Sequence, residues 1–178
     1  KTVIIIWYIY YFFMINNKLI ENKYKDYLVL LTIFFISFLF RYHDLMMGSL
    51  FMDEMDTFYI ANPNISFYET FHRILAIDQY NFFHYLYKIF FILFGYTDYN
   101  ARLFTCIIGS LIPLATYKLY RDHISNKNQF FLITLLILNF YLVYKSQEVR
   151  AQVFYCLFVI LNFYYFLEVL KNKNFFNI

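Results

Sequence analysis

The sequence predicts an all-α, polytopic transmembrane protein, and both its composition and its apolar segments support that prediction. Hydrophobic residues make up 62% of the chain and charged residues only 15%, with a mean hydropathy of +0.50. Soluble domains are about 45–50% apolar and about one quarter charged. The formal net charge of +3 comes without a basic stripe, so no nucleic-acid partner is expected.

Apolar segments of suitable length indicate where the chain crosses the membrane. A spanning helix needs roughly 20 residues, or a few less when its polar ends reach the interface. The first apolar segment lacks the cleavage site of a signal peptide, so we interpret it as a truncated membrane helix. We expect the chain to be the N-terminal part of one longer transmembrane domain, 1–178. The predicted spans are 1–15, 27–42, 102–120, 129–144 and 151–170.

A further apolar segment, 82–94, is too short to span, because its thirteen residues measure about 20 Å as a helix. Asn81, His84 and Lys88 share one face of that helix, a pattern typical of a helix lying in the membrane interface. We expect Asn81 to cap its start and Gly95 to end it.

Charge distribution selects the topology. If 82–94 does not span, the groups of Lys and Arg between the spans all lie on one side of the membrane, and the acidic stretch 43–101 lies on the other. The positive-inside rule favours this arrangement. We therefore expect 43–101 to be an extracytoplasmic loop containing the interfacial helix 82–94, with the turn 145–150 on the same side.

The outer loop also carries signals for two shorter helices. Asp53 is predicted to N-cap a helix over 54–62. Ser66 and Glu69 form a capping-box pattern ahead of the next apolar run. We therefore expect three short helices on the membrane surface.

Adjacent acids in this loop, Asp53 and Glu54, are candidate catalytic groups. A carboxylate at this depth can take a proton from an acceptor hydroxyl, or hold a divalent metal beside a phosphate, and Asp53 is the candidate for either role. The same residues are also explained by an N-cap at Asp53 and a solvated acid at Glu54. From the residues alone both interpretations stay open.

A second polar group lies in the turn between the last two predicted spans, where Glu148 and Arg150 either form a local ion pair or belong to a site. Arg41, Arg102 and Arg150 are all predicted at the outer ends of helices. Snorkelling explains each arginine separately, whereas together they could bind a lipid phosphate.

Several kinds of site are excluded or disfavoured. With only three glycines the chain contains no P-loop and no dinucleotide-binding glycine pattern, and its four histidines do not show metal-ligand spacing. An enzyme at the outer face without a nucleotide site needs an activated donor that is already in the membrane. A polyprenyl-phosphate-linked sugar is such a donor.

Four stretches, in this order, resemble the protein O-mannosyltransferase-like glycosyltransferases, a family that has the GT-C fold and includes the lipid A aminoarabinose transferases. They resemble the family's first span, its Asp-Glu loop, a Phe-Gly-…-Ala-Arg-Leu element and the second outer loop with its acid. The resemblance covers 27–170. The four stretches are 38–42, 49–54, 94–103 and 146–155.

The resemblance implies a GT-C-like glycosyltransferase that uses a polyprenyl-phosphate sugar donor and a lipid, glycan or protein acceptor. It implies a multi-pass protein among membrane lipids, in the bacterial cytoplasmic membrane, with its active site facing out. It maps the catalytic base or metal-binding acid onto Asp53 and the second acid onto Glu148. A divalent metal is the one cofactor it suggests.

The donor phosphate is expected to meet basic side chains. Arg102 or Arg150 could steady the departing phosphate. The family's basic residue before its last juxtamembrane helix has no aligned counterpart here, and His84 or Lys88 are the candidates to replace it.

Two other functions remain open. An O-antigen-type polymerase or ligase would use similar donors, although such enzymes usually rely on arginine-rich outer loops and this loop is net acidic. A transporter or non-catalytic membrane subunit would place ionisable residues inside its spans, and the predicted spans lack them except near their ends.

Overall fold

The computed structural model describes residues 23–46, 48, 50–77, 82–121 and 123–171. These residues form helices joined by turns, without a strand, so the predicted all-α class is confirmed for this part of the chain. The predicted span 1–15 and the predicted cap Asn81 lie outside it. The helices are α1 (Lys23–Tyr42), α2 (Met52–Ile60), α3 (Phe67–Ala76), α4 (Phe83–Phe94), α5 (Asp98–Tyr120), α6 (Asn126–Leu138), α7 (Phe140–Lys145) and α8 (Gln152–Lys171).

Helix α5 is the centre of a helical bundle, because it packs against α1, α4, α6 and α8. At one end of the bundle Arg121 donates to the Asp26 carboxylate over 2.7 Å. At the other end the hydroxyls of Tyr42 and Tyr99 lie 3.2 Å apart. Helices α1 and α5 are therefore antiparallel. We call the second end, which carries α2, α3, α4 and residues 146–151, the loop end.

Two apolar cores hold these helices together. Burying one large apolar side chain contributes about 1.5–3 kcal/mol, so clusters of this size fix how the helices pack. The first core joins α1, α5 and α6 and consists of Val29, Ile33, Tyr117, Ile133 and Ile137. The second lies at the loop end and consists of Ala61, Phe83, Tyr87, Phe91, Ala101, Val149 and Phe154.

Helix α2 starts earlier than the sequence pattern indicated, so the prediction that Asp53 caps a helix over 54–62 is wrong. The N-cap is Phe51, and the Glu54 carboxylate folds back to accept its backbone N–H over 2.8 Å. Asp53 therefore sits in the first helical turn, where its charge suits the positive end of the helix dipole.

The predicted caps of the next two helices are confirmed in part. The Ser66 hydroxyl accepts the Glu69 backbone N–H over 3.0 Å and caps α3. The Glu69 carboxylate pairs with Arg73 instead of completing a capping box. Gly95 ends α4 with φ of +101°, a left-handed conformation that favours glycine.

Helix α4 lies with its polar face inwards. His84 and Lys88 are both buried, whereas Ile89, Ile92 and Leu93 on the opposite side are exposed. A helix at the membrane interface was expected from the polar face. In the structure the polar face is buried in the protein and the apolar face is exposed, and the placement of this helix at a membrane interface stays a prediction.

The segment predicted as one span, 129–144, is interrupted at Asn139, so the prediction of a continuous helix is wrong. Asn139 has φ −62° and ψ 109°, and its side-chain oxygen accepts the Leu142 N–H over 2.9 Å. Asparagine offers the backbone this alternative to helical bonding. The break leaves the carbonyl of Leu136 without its helical donor, and Arg41 donates to it over 3.2 Å.

Two helices in the described part of the chain, α5 and α8, are long and apolar enough to cross a membrane. Half of the apolar window of α5 is buried inside the protein, as in the core helix of a soluble domain. Only 11% of the window of α8 is buried. Phe158, Val159 and Phe163 are among its exposed side chains. An apolar helix with so little protein cover supports membrane association.

Candidate functional site

A cleft of about 380 Å³ opens at the loop end of the bundle. Its walls come from the end of α1, the start of α2, the start of α5, and α7 with the turn that follows it. Charged and aromatic side chains both contribute to its lining. The lining residues are Phe40, His43, Asp44, Leu45, Phe51, Glu54, Arg102, Phe140, Val143, Tyr144, Gln147 and Glu148.

Glu54 is the buried acid of the cleft, with only 1% of its surface exposed. One carboxylate oxygen accepts the Val149 backbone N–H over 2.7 Å, and the other accepts the Phe51 N–H over 2.8 Å. The second oxygen also lies 3.6 Å from the Arg102 guanidinium. A buried carboxylate is stable only when it is bonded in this way. Glu54 therefore fastens α2 to α5 and to the turn 146–151.

Arg102 does not snorkel to the surface, because it is 5% exposed and bonded within the protein. Besides its ion pair with Glu54, it donates to the Leu45 carbonyl over 3.1 Å. It thereby holds the chain segment after α1 against α5. Its guanidinium remains one wall of the cleft.

A chain of alternating charges, which we call the rim of the site, joins Glu148 in the cleft lining to Arg150 and Asp53, which are not lining residues. Arg150 lies 3.1 Å from the carboxylate of Asp53 and 3.6 Å from that of Glu148. Lys145 donates to the same Glu148 oxygen over 2.7 Å. The Asp53 side chain is 65% exposed and that of Glu148 is 8% exposed. Five sequence-predicted site residues, Asp53, Glu54, Glu148, Arg102 and Arg150, are thus brought together.

Arg41, which is fully buried, stabilises the turn that carries Glu148. Its guanidinium donates to the Ser146 hydroxyl over 3.2 Å and to the Ser37 hydroxyl over 2.6 Å. Gly109 of α5 lies so close to this contact that a Cβ there would overlap the Ser146 side chain. Arg41 therefore bonds inside the bundle, and the snorkelling interpretation is wrong for it as well.

Lys88 and His84 lie away from the cleft lining. The Lys88 ammonium donates to the carbonyls of Asn62 and Ile65 over 2.6 and 2.7 Å, which closes the turn between α2 and α3. Burial, with a contribution from nearby Arg73, lowers the pKa of Lys88. Burial likewise lowers the pKa of His84 to about 4, and neither ring nitrogen is bonded within the described residues.

His43 and Asp44 form a pair at the cleft that sequence reasoning missed. Nδ1 of His43 lies 2.7 Å from the Asp44 carboxylate, and the two side chains are 78% and 52% exposed. Asp44 has φ of +62°, an uncommon left-handed conformation for a residue other than glycine. The Gln147 amide donates to the His43 carbonyl over 2.6 Å. Only the position of this pair directly after an apolar helix could have drawn attention to it.

An apolar cavity of about 430 Å³ adjoins the cleft along α1. It is lined by Ile36, Leu39, Phe40 and His43, and the last two of these also line the cleft. A polar space and an apolar space therefore meet at Phe40 and His43.

The implied divalent metal does not fit the residues that the structure describes. No group of three or more His, Cys, Asp or Glu side chains is placed to hold an ion among them. Asp53, the predicted ligand, is paired with Arg150. We therefore derive no chemical step through a metal.

No known protein-family model, curated protein or solved structure matches this chain.

Proposed function

We propose that this protein is a multi-pass membrane glycosyltransferase of the GT-C-like, O-mannosyltransferase-like kind. It transfers a sugar from a polyprenyl-phosphate-linked donor to an acceptor hydroxyl at the outer face of the bacterial cytoplasmic membrane. The observation that carries the proposal is the junction of a charged cleft with an apolar cavity. A lipid-linked donor has the same division, with a charged phosphate and sugar attached to an apolar chain.

Glycosyl transfer needs a base for the acceptor hydroxyl and positive charge for the leaving phosphate, and the charged rim contains both. Asp53, the most exposed of the three site acids, accepts the proton of the acceptor hydroxyl, and the acceptor oxygen attacks the anomeric carbon. The bond from that carbon to the phosphate oxygen breaks, and polyprenyl phosphate leaves with the electron pair. Arg102 and Arg150 stabilise the charge that develops on the phosphate.

The pairing of Asp53 with Arg150 couples deprotonation of the acceptor hydroxyl to binding of the donor phosphate. A phosphate that binds Arg150 competes with the Asp53 carboxylate, 3.1 Å away, for the same guanidinium. Donor binding thereby frees Asp53 to act as a base. This order of events keeps the base paired until a donor is present.

Exposed apolar surface on several helices supports the membrane setting. Leu31, Phe35 and Leu39 are exposed along α1, which carries the apolar cavity. Only 11% of the apolar window of α8 is buried. A polyprenyl chain can then reach the cavity laterally from the lipid.

The test is acceptor-dependent release of polyprenyl phosphate by the full-length protein in detergent. The donors are short-chain polyprenyl-phosphate sugars and the acceptor is a crude envelope fraction. We expect the wild type to release polyprenyl phosphate and Asp53→Asn to lose at least about 10²-fold of that rate. Asp56→Asn, an acid of the same helix with partial exposure, is the matched control and should keep the wild-type rate.

Each result has a defined meaning. No release by the wild type with any donor contradicts the proposed function. Equal rates for the wild type and Asp53→Asn support the transferase but move the base away from Asp53, and Glu148→Gln is then tested.

One observation favours a second candidate, a transporter or transport subunit. The break at Asn139 makes α6 and α7 a discontinuous helix, and the buried Arg41 beside it is an ionisable group inside the bundle. Discontinuous helices line substrate sites in many transporters. Solute uptake by proteoliposomes without any release of polyprenyl phosphate would favour this candidate over the transferase.

A further inference from the structure

The proposed transferase needs a group that contacts the donor phosphate where the lipid chain begins. Of the residues proposed from the sequence for the donor phosphate, His84 and Lys88 are buried, and neither they nor Arg150 lines the cleft or the apolar cavity. Arg102 lines the cleft but does not line the apolar cavity. His43 is the one ionisable side chain that lines both spaces among the described residues.

We propose that His43, held by Asp44, binds the phosphate of the lipid-linked donor and protonates it as the sugar leaves. This inference rests on the proposed function and adds a catalytic residue to it. With the sugar in the charged cleft and the polyprenyl chain in the apolar cavity, the phosphate between them lies at the shared wall. His43 forms that wall together with Phe40, which has no polar side-chain atom.

Two side chains transfer protons in this reaction: Asp53 accepts one from the acceptor hydroxyl, and His43 donates one to the leaving phosphate. As the acceptor oxygen bonds to the anomeric carbon, its proton passes to Asp53. The carbon–oxygen bond to the phosphate breaks, and the proton on Nε2 of the His43 imidazolium passes to that phosphate oxygen. Polyprenyl phosphate leaves as the monoanion, His43 becomes neutral, and water returns the proton from Asp53 to His43.

The geometry of the pair suits this role. Nδ1 lies 2.7 Å from the Asp44 carboxylate, which leaves Nε2 as the ring atom available to a ligand. Nε2 makes no hydrogen bond within the described part of the chain. The Gln147 amide holds the backbone at His43 by donating to its carbonyl. The left-handed φ of Asp44 is the kind of strain that clusters at functional sites.

Charges around His43 come from every element that borders the cleft. Asp44 follows His43 directly in the chain. Glu54 belongs to α2, Arg102 to α5, and Glu148 to the turn after α7. Glu54 and Arg102 are paired with each other, and Glu148 is paired with Lys145. Asp44, 2.7 Å from the ring, is the acid that pairs with His43.

The experiment compares His43→Gln, Asp44→Asn and the control His72→Gln in the full-length protein. His72 is an exposed histidine on α3 and lines neither space. The readouts are the rate of polyprenyl phosphate release between about pH 5.5 and 8.5, and binding of short-chain polyprenyl phosphate. Asparagine tolerates a positive φ, so Asp44→Asn removes the charge while keeping the backbone.

We expect His43→Gln to slow release about 10²-fold at neutral pH and to weaken polyprenyl phosphate binding. Because the protonated ring is the acid, wild-type release should fall as pH rises across the assayed range. That decline should be absent in His43→Gln, and Asp44→Asn should show a smaller loss of rate. His72→Gln should match the wild type.

Release by His43→Gln within twofold of wild type, or with an unchanged pH profile, overturns this inference while the transferase proposal stands. A wild type that releases no polyprenyl phosphate overturns both. A variant that loses rate but keeps the wild-type pH decline shows that His43 does not supply the proton.

Discussion

Glu54 gives the sharpest test of how the cleft is held together, because the substitution Glu54→Gln removes its charge and one of its acceptor oxygens. The amide of glutamine has one acceptor oxygen in place of two. One of the two backbone N–H groups now bound by Glu54, at Phe51 or at Val149, therefore loses its acceptor. An unpaired buried N–H costs about 1–3 kcal/mol. Arg102 also loses its counter-charge in a site where it is 5% exposed.

The full cost follows from the burial of this pair. Breaking a buried ion pair by removing one charge typically costs about 3–5 kcal/mol, of which the lost backbone bond is part. One kcal/mol lowers the melting temperature of a chain of this size by about 2–4 °C. We therefore expect Glu54→Gln to melt about 10 °C below the wild type in detergent, measured by thermal unfolding with intrinsic fluorescence.

The matched control for this variant is Glu69→Gln. Glu69 also sits in a first helical turn and pairs with an arginine, Arg73, but its side chain is 49% exposed. Exposed pairs of this kind contribute about 0.3–0.5 kcal/mol. The control should therefore melt within about 2 °C of the wild type. A Glu54→Gln protein that melts no lower than Glu69→Gln would refute the view that Glu54 fastens the loop end.

Three further substitutions test other parts of the fold. Gly109→Ala places a Cβ against Ser146, and we expect it to lower the free energy of unfolding by about 1–3 kcal/mol. Gly48→Ala serves as a control, because it has open space around it and only the strain of its positive φ applies. Ser66→Ala removes the cap of α3 and should cost about 1 kcal/mol, measured by the same thermal assay. The pKa of His84 is lowered from 6.5 to about 4, so the unfolded chain binds the extra proton between these values. Stability should then fall by up to about 3 kcal/mol as pH drops from 6.5 to 4, and His84→Leu should remove that part of the pH dependence. A pH dependence unchanged in His84→Leu would contradict the burial of a neutral ring.

That Asp53 and Glu148 lie at the same end of the bundle could be predicted from the sequence, because charge patterns and helix lengths constrain topology. Asp53 and Glu148 were each placed beyond the end of an apolar segment on the same side. In the structure Arg150 bridges their carboxylates. The predicted end of α4 at Gly95 also holds, because a glycine with a positive φ is a local signal.

The division of work between the two adjacent acids could not be predicted, because it depends on partners far away in the sequence. Local patterns favoured Asp53 as the cap and Glu54 as the solvated acid. The structure reverses this, because the N–H of Val149 and the guanidinium of Arg102 draw Glu54 inwards. Asp53 is left on the rim with 65% of its side chain exposed.

The break at Asn139 shows why a tertiary contact can override an apolar pattern. Asparagine alone seldom ends a helix inside an apolar run, because the freed carbonyls would be unpaired. Arg41, which lies 95 residues away from Leu136 in the sequence, supplies a donor for one of them. The same guanidinium also bonds Ser146, at the start of the turn that carries Glu148. One buried arginine therefore makes the break tolerable and sets the position of an acid in the cleft.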